Sequence, residues 1–207
     1  MDKDRLCRLW SRCAGHGELG REAEVIYEEL AGYYREPHRF YHTGGHINDC
    51  LSRMDLAEAE LGRSDSVELA IWFHDVIYVS GAPDNERRSA DWFAEKAAGV
   101  LPPEMIREVE GYIMSTTHRE MPGDEGSKFV VDVDLSGLGM SPESFRRDGD
   151  NIRKEFADLS DAEFNRRQAV FLQKLLDRSR IYSTPFFYDL CEAPARRNIS
   201  EVLARCS

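Results

Sequence analysis

The chain contains no apolar run longer than five residues (Leu69 to Phe73), far too short to cross a bilayer, so no membrane partner is expected. It has no excess of basic charge: 27 Lys and Arg stand against 38 Asp and Glu, a net charge of −11. Such a surface repels phosphate backbones, and the arginine pairs (Arg87-Arg88, Arg146-Arg147, Arg166-Arg167, Arg196-Arg197) are scattered among acids. A nucleic-acid polymer is therefore not an expected partner. The five cysteines (Cys7, Cys13, Cys50, Cys191, Cys206) are odd in number and form no CxxC pair, which gives little support to a disulfide framework or a thiolate zinc site. The opening MDKDRLCRLW is charged from its second residue and resembles no secretory leader. Reduced thiols and a cytoplasmic location are the expectation. No repeat, low-complexity tract or Pro/Gly/Ser linker divides the chain, so residues 1–207 are expected to form one domain.

What the chain has instead is helical periodicity. Val25, Ile26, Leu30 and Tyr33-Tyr34 share one face over 20–35, and Pro37 ends that run. Segment 46–61 carries Ile47, Cys50-Leu51, Met54 and Ala57 and stops at Gly62; segment 66–79 is apolar nearly all round. Asp84 is the expected N-cap of a helix through Trp92-Phe93 to Gly99, and Pro102-Pro103 opens another carrying Ile106, Val109 and Ile113. Ser141-Pro142 starts the next, and the capping box Ser160-x-x-Glu163 starts one predicted to reach Tyr182. A last helix is predicted from Pro194. Phe129-Val-Val-Asp-Val-Asp-Leu135 alternates like a strand, yet no second strand exists to pair with it, so it too is predicted helical. Loop 119–128 reads as the most flexible stretch. The expected fold class is all-α, a single helical bundle.

Three places carry chemistry. In Arg39-Phe-Tyr-His42-Thr-Gly-Gly-His46, the two histidines stand four apart and so share one helical face. Gly44-Gly45 is a poor helix interior, which puts His42 before the helix and His46 in its first turn. In Trp72-Phe-His74-Asp75-Val76, an acid is embedded in an apolar helix with no Lys or Arg between Arg63 and Arg87. Ionised and buried, it needs either an arginine from elsewhere in the fold or a metal shared with His74. Asp132 and Asp134 are similarly embedded in FVVDVDL. A set of His46, His74, Asp75 and one later aspartate suits a divalent ion (Mn, Mg, Fe, Co, Ni or Zn) with positions left open for water and substrate oxygens.

The order His … His-Asp … Asp resembles that of the HD-domain superfamily of metal-dependent phosphohydrolases, over roughly residues 39–138. Tyr41-His42-x-x-x-His46 resembles a signature of cyclic-nucleotide phosphodiesterases, and Asp134-Leu135-Ser136 a later element of theirs. The fuller string, RFYHTGGHI … WFHDVIY … DNERRSA … STTH … DVDLSGLG, resembles a bacterial branch of HD phosphohydrolases. The resemblance implies a single HD-type helical bundle, with helices of 141–204 packed on the motif core. It implies His46, His74, Asp75 and Asp134 as metal ligands, with helix phase alone not choosing between Asp132 and Asp134. It implies His42 as the proton donor to the leaving group and Asp75 as an orienter of the nucleophile. Thr43 replaces an asparagine of that signature, and of the extra histidines of binuclear sites only His118 has a counterpart.

Around these, Arg39 is a candidate to hold a phosphate oxygen, and Asn85, Glu86 and His118 are candidates to touch substrate. Arg196 and Asn198 could close over the pocket; Phe186-Phe187-Tyr188 and Trp92-Phe93 read as core. The expected activity is metal-dependent hydrolysis of a phosphate ester or anhydride of a small, possibly nucleotide-like molecule. The competing expectations are a catalytically silent metal or nucleotide sensor, an HD-type iron oxygenase, and a helical interaction module without a site.

Overall fold

Sequence-local signals account for most of the helix starts. In the computed structural model, which describes residues 1–15 and 20–206, the helices are α1 (Lys3–Cys13), α2 (Arg21–Tyr33), α3 (Gly44–Leu61), α4 (Asp65–Phe73) and α5 (Asn85–Ala97). They continue with α6 (Pro103–Ser115), α7 (Glu125–Leu135), α8 (Pro142–Glu155), α9 (Asp161–Leu176) and α10 (Pro185–Cys206), with a 3-10 turn at Ser136–Gly139 after α7. No strand occurs among the described residues. Side chains of Asp2, Thr43, Ser64, Asp124, Ser141 and Ser160 each accept a backbone N–H in the first turn they precede. Pro103 and Pro142 sit in first turns, where their missing N–H costs nothing. Gly62 ends α3 at φ +75, a conformation that side chains with a Cβ resist.

The segment that alternates like a strand is helix α7. It lies against α4, α6 and α3, so Phe129, Val130, Val131, Val133 and Leu135 are all buried. A helix enclosed on several sides needs no polar face, which is why its periodicity was ambiguous. Its N-cap Asp124 falls within the loop expected over 119–128.

Four boundaries differ from expectation. The N-terminal segment, read only as lacking a leader, forms α1 and buries Leu6, Cys7, Leu9 and Trp10. Helix α4 ends at Phe73 rather than near 79. Beyond it, the carbonyls of Asp75 and Val76 accept from Arg39, and the N–H groups of Ile77 and Val79 donate to Ser89 Oγ and Asn85 Oδ1. Helix α9 ends at Leu176 rather than Tyr182, because buried carboxylates, Asp132 from α7 and Glu192 from α10, capture the backbone N–H groups of 181–184. Helix α10 starts at Pro185, nine residues before the expected Pro194, which lies inside it. Burial of Phe187, Cys191, Ala195 and Ile199 on one face outweighs the hydrogen bond lost at Pro194.

One continuous core runs from Leu6 in α1 to Ile199 in α10. Helix α4 is at its centre: Leu69, Ala70, Ile71, Trp72 and Phe73 are at most 1% exposed. Phe73, Trp10 and Phe93 meet with ring centroids 5.1–6.3 Å apart. Phe93 and Phe187 belong to this core, as expected. No described helix is long and apolar enough to cross a membrane.

Candidate metal centre

The site lies where α4 runs out. Tyr34 donates its hydroxyl to the Trp72 carbonyl at 2.9 Å, and Arg39 donates to the carbonyls of His42, Asp75 and Val76 at 3.2, 2.6 and 2.9 Å. The Tyr34 bond satisfies a carbonyl that the end of α4 leaves open, and the Arg39 bonds tie the turn beyond it to the segment before α3. They fix the turn that carries His74 and Asp75. Helix α3 brings His46 in its first turn, and the last turn of α7 brings Asp134.

Four side chains converge there. His46 Nε2 is 3.3 Å from His74 Nε2, 3.2 Å from Asp134 Oδ1 and 3.7 Å from Asp75 Oδ2. His74 Nε2 is 3.1 Å from Asp75 Oδ2 and 3.5 Å from Asp134 Oδ1. Adjacent donors around an ion with ligand distances near 2.1 Å stand roughly 3.0–3.4 Å apart in octahedral or tetrahedral geometry, so the spacing fits an ion. His46, His74 and Asp75 form one group able to hold a metal ion; His46, Cys50 and Asp134 form another. His74 Nδ1 lies 3.0 Å from the Ile71 carbonyl, a bond that needs the proton on Nδ1 and makes Nε2 the atom that faces the group.

Electrostatics agree with a cation-seeking cluster. Burial opposes charge on both carboxylates. Asp75 is nonetheless held well below the usual carboxylate range by His74, His42 and His46. Asp134 is held down in the same way by His118, His46 and His74. Burial would lower the His74 pKa, yet Asp75 and Asp134 push it well above its ordinary value. The Cys50 thiol, fully enclosed and near Asp134, is pushed well up, although His74 opposes this.

The ambiguity between Asp132 and Asp134 resolves in the structure. Two residues apart on a helix means nearly opposite faces. Asp132 points away and is fully buried, accepting from Ser183 N, Thr184 N and Thr184 Oγ1 at 2.7–3.0 Å. It holds the start of α10, while Asp134 faces the histidines.

His42 stands just before α3 with a partner that sequence reasoning missed. Its Nδ1 is 2.6 Å from Glu155 Oε2, and Glu155 Oε1 accepts the backbone N–H groups of Phe40, Tyr41 and His42 at 2.7, 2.7 and 2.9 Å. Burial opposes ionisation of Glu155, but His42 and these N–H groups lower its pKa to about 2. The His42 ring stacks on Tyr78 with centroids 4.0 Å apart. Nothing in PESFRRDGDNIRKE distinguishes Glu155 from the solvated acids of an amphipathic helix; only the tertiary fold does.

The remaining candidates divide. His118 joins the site: its Nε2 is 2.9 Å from Asp134 Oδ2, its backbone is left-handed at φ +53, and Arg178 donates to its carbonyl at 2.6 Å. Glu86 is partly buried near Asp75, and burial raises its carboxyl pKa. Arg39 is no phosphate ligand, because its side chain is inaccessible and its donors are taken by Glu36 and three carbonyls. Asn85 is no substrate contact either; its amide closes both backbone groups of Val79. Arg196 and Asn198 do not close over the pocket. Arg196 bonds Glu192 and the carbonyls of Leu176 and Arg178, and Asn198 bonds the carbonyls of Leu138 and Met140. Cys7, Cys13, Cys50 and Cys191 are free and buried, and the Cys206 side chain lies outside the described residues.

A cavity of about 320 Å³ opens beside His46 and Asp134, between α3, the 3-10 turn and α8. No protein-family model, curated protein or solved structure matches the chain, so the cluster and its cavity carry the functional reading.

Proposed function

We propose that the chain is a metal-dependent phosphohydrolase that cleaves a phosphate ester of a small molecule, as its resemblance to the HD superfamily implies. One observation carries the reading. His46, His74 and Asp75 form one ion-sized group, and His46 shares a second with Asp134 beside a cavity, with a carboxylate-backed histidine next to them.

His46, His74, Asp75 and Asp134 would hold the divalent ion. When bound, it supplies charge neutralisation for phosphoryl oxygens and acidifies water. The residues of the chain do the rest. Asp75, held ionised, accepts a hydrogen bond from the attacking water and orients it. The water oxygen forms the new bond to phosphorus as the ester P–O bond breaks. His42, with Nδ1–H donated to Glu155, gives its Nε2 proton to the departing alkoxide. The proton released from water restores the imidazolium, and the products are an alcohol and phosphate. His118, bonded to Asp134, steadies that carboxylate against rotation.

The test is elemental analysis of the purified chain followed by phosphate release from monoesters and diesters. Bound metal with chelator-sensitive hydrolysis supports the reading. Bound metal with no hydrolysis across the panel overturns it in favour of a sensor, and iron with an oxygen-dependent product in favour of an oxygenase.

A further inference from the structure

Helix α3 lines the cavity with one stripe. His46, Asp49, Cys50 and Arg53 follow the i, i+3, i+4, i+7 pattern that keeps side chains on one face, and all four line the cavity. At 1.5 Å per residue, the seven-residue step from His46 to Arg53 spans about 10 Å. The stripe thus runs from the candidate metal centre at one end to a guanidinium at the other. The opposite wall brings Asp134 at the metal end and Asp148 from α8.

Arg53 has an unusual position in so acidic a chain. It is half-buried and lies against the thioether of Met140, a weak acceptor; among the described residues it has no carboxylate partner. A guanidinium that lines a cavity without an ion pair of its own is open to an anionic ligand. Between the two ends stand the carboxylates Asp49 and Asp148, the latter paired at 3.2 Å with Arg147, which also lines the cavity. They repel phosphate and accept hydroxyl hydrogens, so the middle of the cavity suits a neutral polyhydroxy segment. The aromatic ring on the lining, Tyr41, is already engaged: it meets His42 edge-on at 5.0 Å and packs on His46 at 4.9 Å. A ring held between two histidines is a poor platform for a stacked nucleobase.

We propose that this cavity selects a phosphorylated sugar or polyol with two anionic ends. The scissile phosphoryl group lies at His46 and Asp134, the hydroxyls at Asp49 and Asp148, and a second phosphate or carboxylate at Arg53. The proposal rests on the phosphohydrolase reading and narrows its substrate class away from the nucleotide expected from sequence.

The experiment compares fructose 1,6-bisphosphate, fructose 6-phosphate, AMP and p-nitrophenyl phosphate with the metal-loaded full chain. Wild type should favour the bisphosphate over the monophosphate by at least about tenfold in kcat/KM, the worth of one charge-assisted contact. Arg53→Met should bring that ratio close to one, mainly through KM, and Arg53→Lys should keep part of it. A ratio unchanged by Arg53→Met, or a wild-type preference for AMP, overturns the proposal. Calorimetric binding of the same compounds separates it from the reading beneath it. A bisphosphate preference in binding without any hydrolysis overturns the phosphohydrolase reading alone. Hydrolysis of p-nitrophenyl phosphate with no bisphosphate preference overturns the cavity assignment alone.

Discussion

Replacing Glu155 with glutamine probes both the stability of the site and the proton donor within it. The Glu155 side chain is inaccessible, with one oxygen on three backbone N–H groups and the other 2.6 Å from His42 Nδ1. Burial opposes its charge, yet His42 and those N–H groups lower its pKa from 4.5 to about 2. A carboxyl whose folded pKa lies below its unfolded value stabilises the fold fully above about 4.5 and loses that stabilisation as pH falls toward 2. At about 1.4 kcal/mol per unit, and allowing for screening by nearby solvent, the carboxylate contributes about 2–3 kcal/mol at neutral pH. Glutamine can keep an oxygen toward the backbone but turns an NH₂ toward Nδ1, so His42 loses its anionic acceptor. Urea denaturation followed by tryptophan fluorescence should show Glu155→Gln less stable by about 2–3 kcal/mol at pH 7, with the gap to wild type shrinking by pH 3. Hydrolysis of an alkyl phosphate should fall about 10–100-fold, and that of p-nitrophenyl phosphate less, because its leaving group needs little protonation. A stability gap that stays constant from pH 7 to pH 3, or equal rate losses on both esters, refutes the reasoning.

His42→Gln should retain metal by elemental analysis and lose about 10²–10⁴ in rate on the alkyl ester, with a smaller loss on p-nitrophenyl phosphate; loss of metal would show His42 to be a ligand instead. Asp132→Ala should cost about 2–3 kcal/mol in urea denaturation, because Ser183 N, Thr184 N and Thr184 Oγ1 lose their acceptor, while metal content persists. Stripping of metal by that change would reverse the assignment of the two aspartates. Arg39→Met should lower stability by about 2–4 kcal/mol and weaken metal retention, since the carbonyls of Asp75 and Val76 lose their donors; unchanged stability with a raised KM would restore Arg39 as a substrate ligand.

Much of the candidate site was legible because the residues that could hold an ion are chemically out of place. Asp75 sits in the most apolar stretch of the chain, and Gly44-Gly45 sets His46 at a helix start, where Thr43 caps it. The choice between Asp132 and Asp134 was not legible, because both lie in the same apolar run and only packing shows which face meets the histidines. Arg39 and Asn85 were misread for one reason: near a motif, a polar side chain that braces backbone looks the same in sequence as one that binds substrate. Glu155 and Asp132 act on backbone N–H groups from more than 50 residues away, and no local pattern records such a pairing. The helix ends that differ, at 73, 176 and 185, fall where side chains of other segments intercept the backbone: Arg39, Asn85 and Ser89 beyond 73, and Asp132 and Glu192 between 176 and 185. Pro194 misled because proline usually marks a helix start, whereas the buried face of α10 carries the helix through it.

The claim that His46, His74, Asp75 and Asp134 form the working centre of a phosphohydrolase has one most direct test: phosphate release by the chelator-treated protein as manganese is titrated back, with wild type and Asp134→Ala side by side. Wild type should rise from a baseline near zero to saturation, and Asp134→Ala should stay flat while keeping its helical circular dichroism. Hydrolysis that survives chelation, or an Asp134→Ala chain that responds to manganese as wild type does, would contradict the claim.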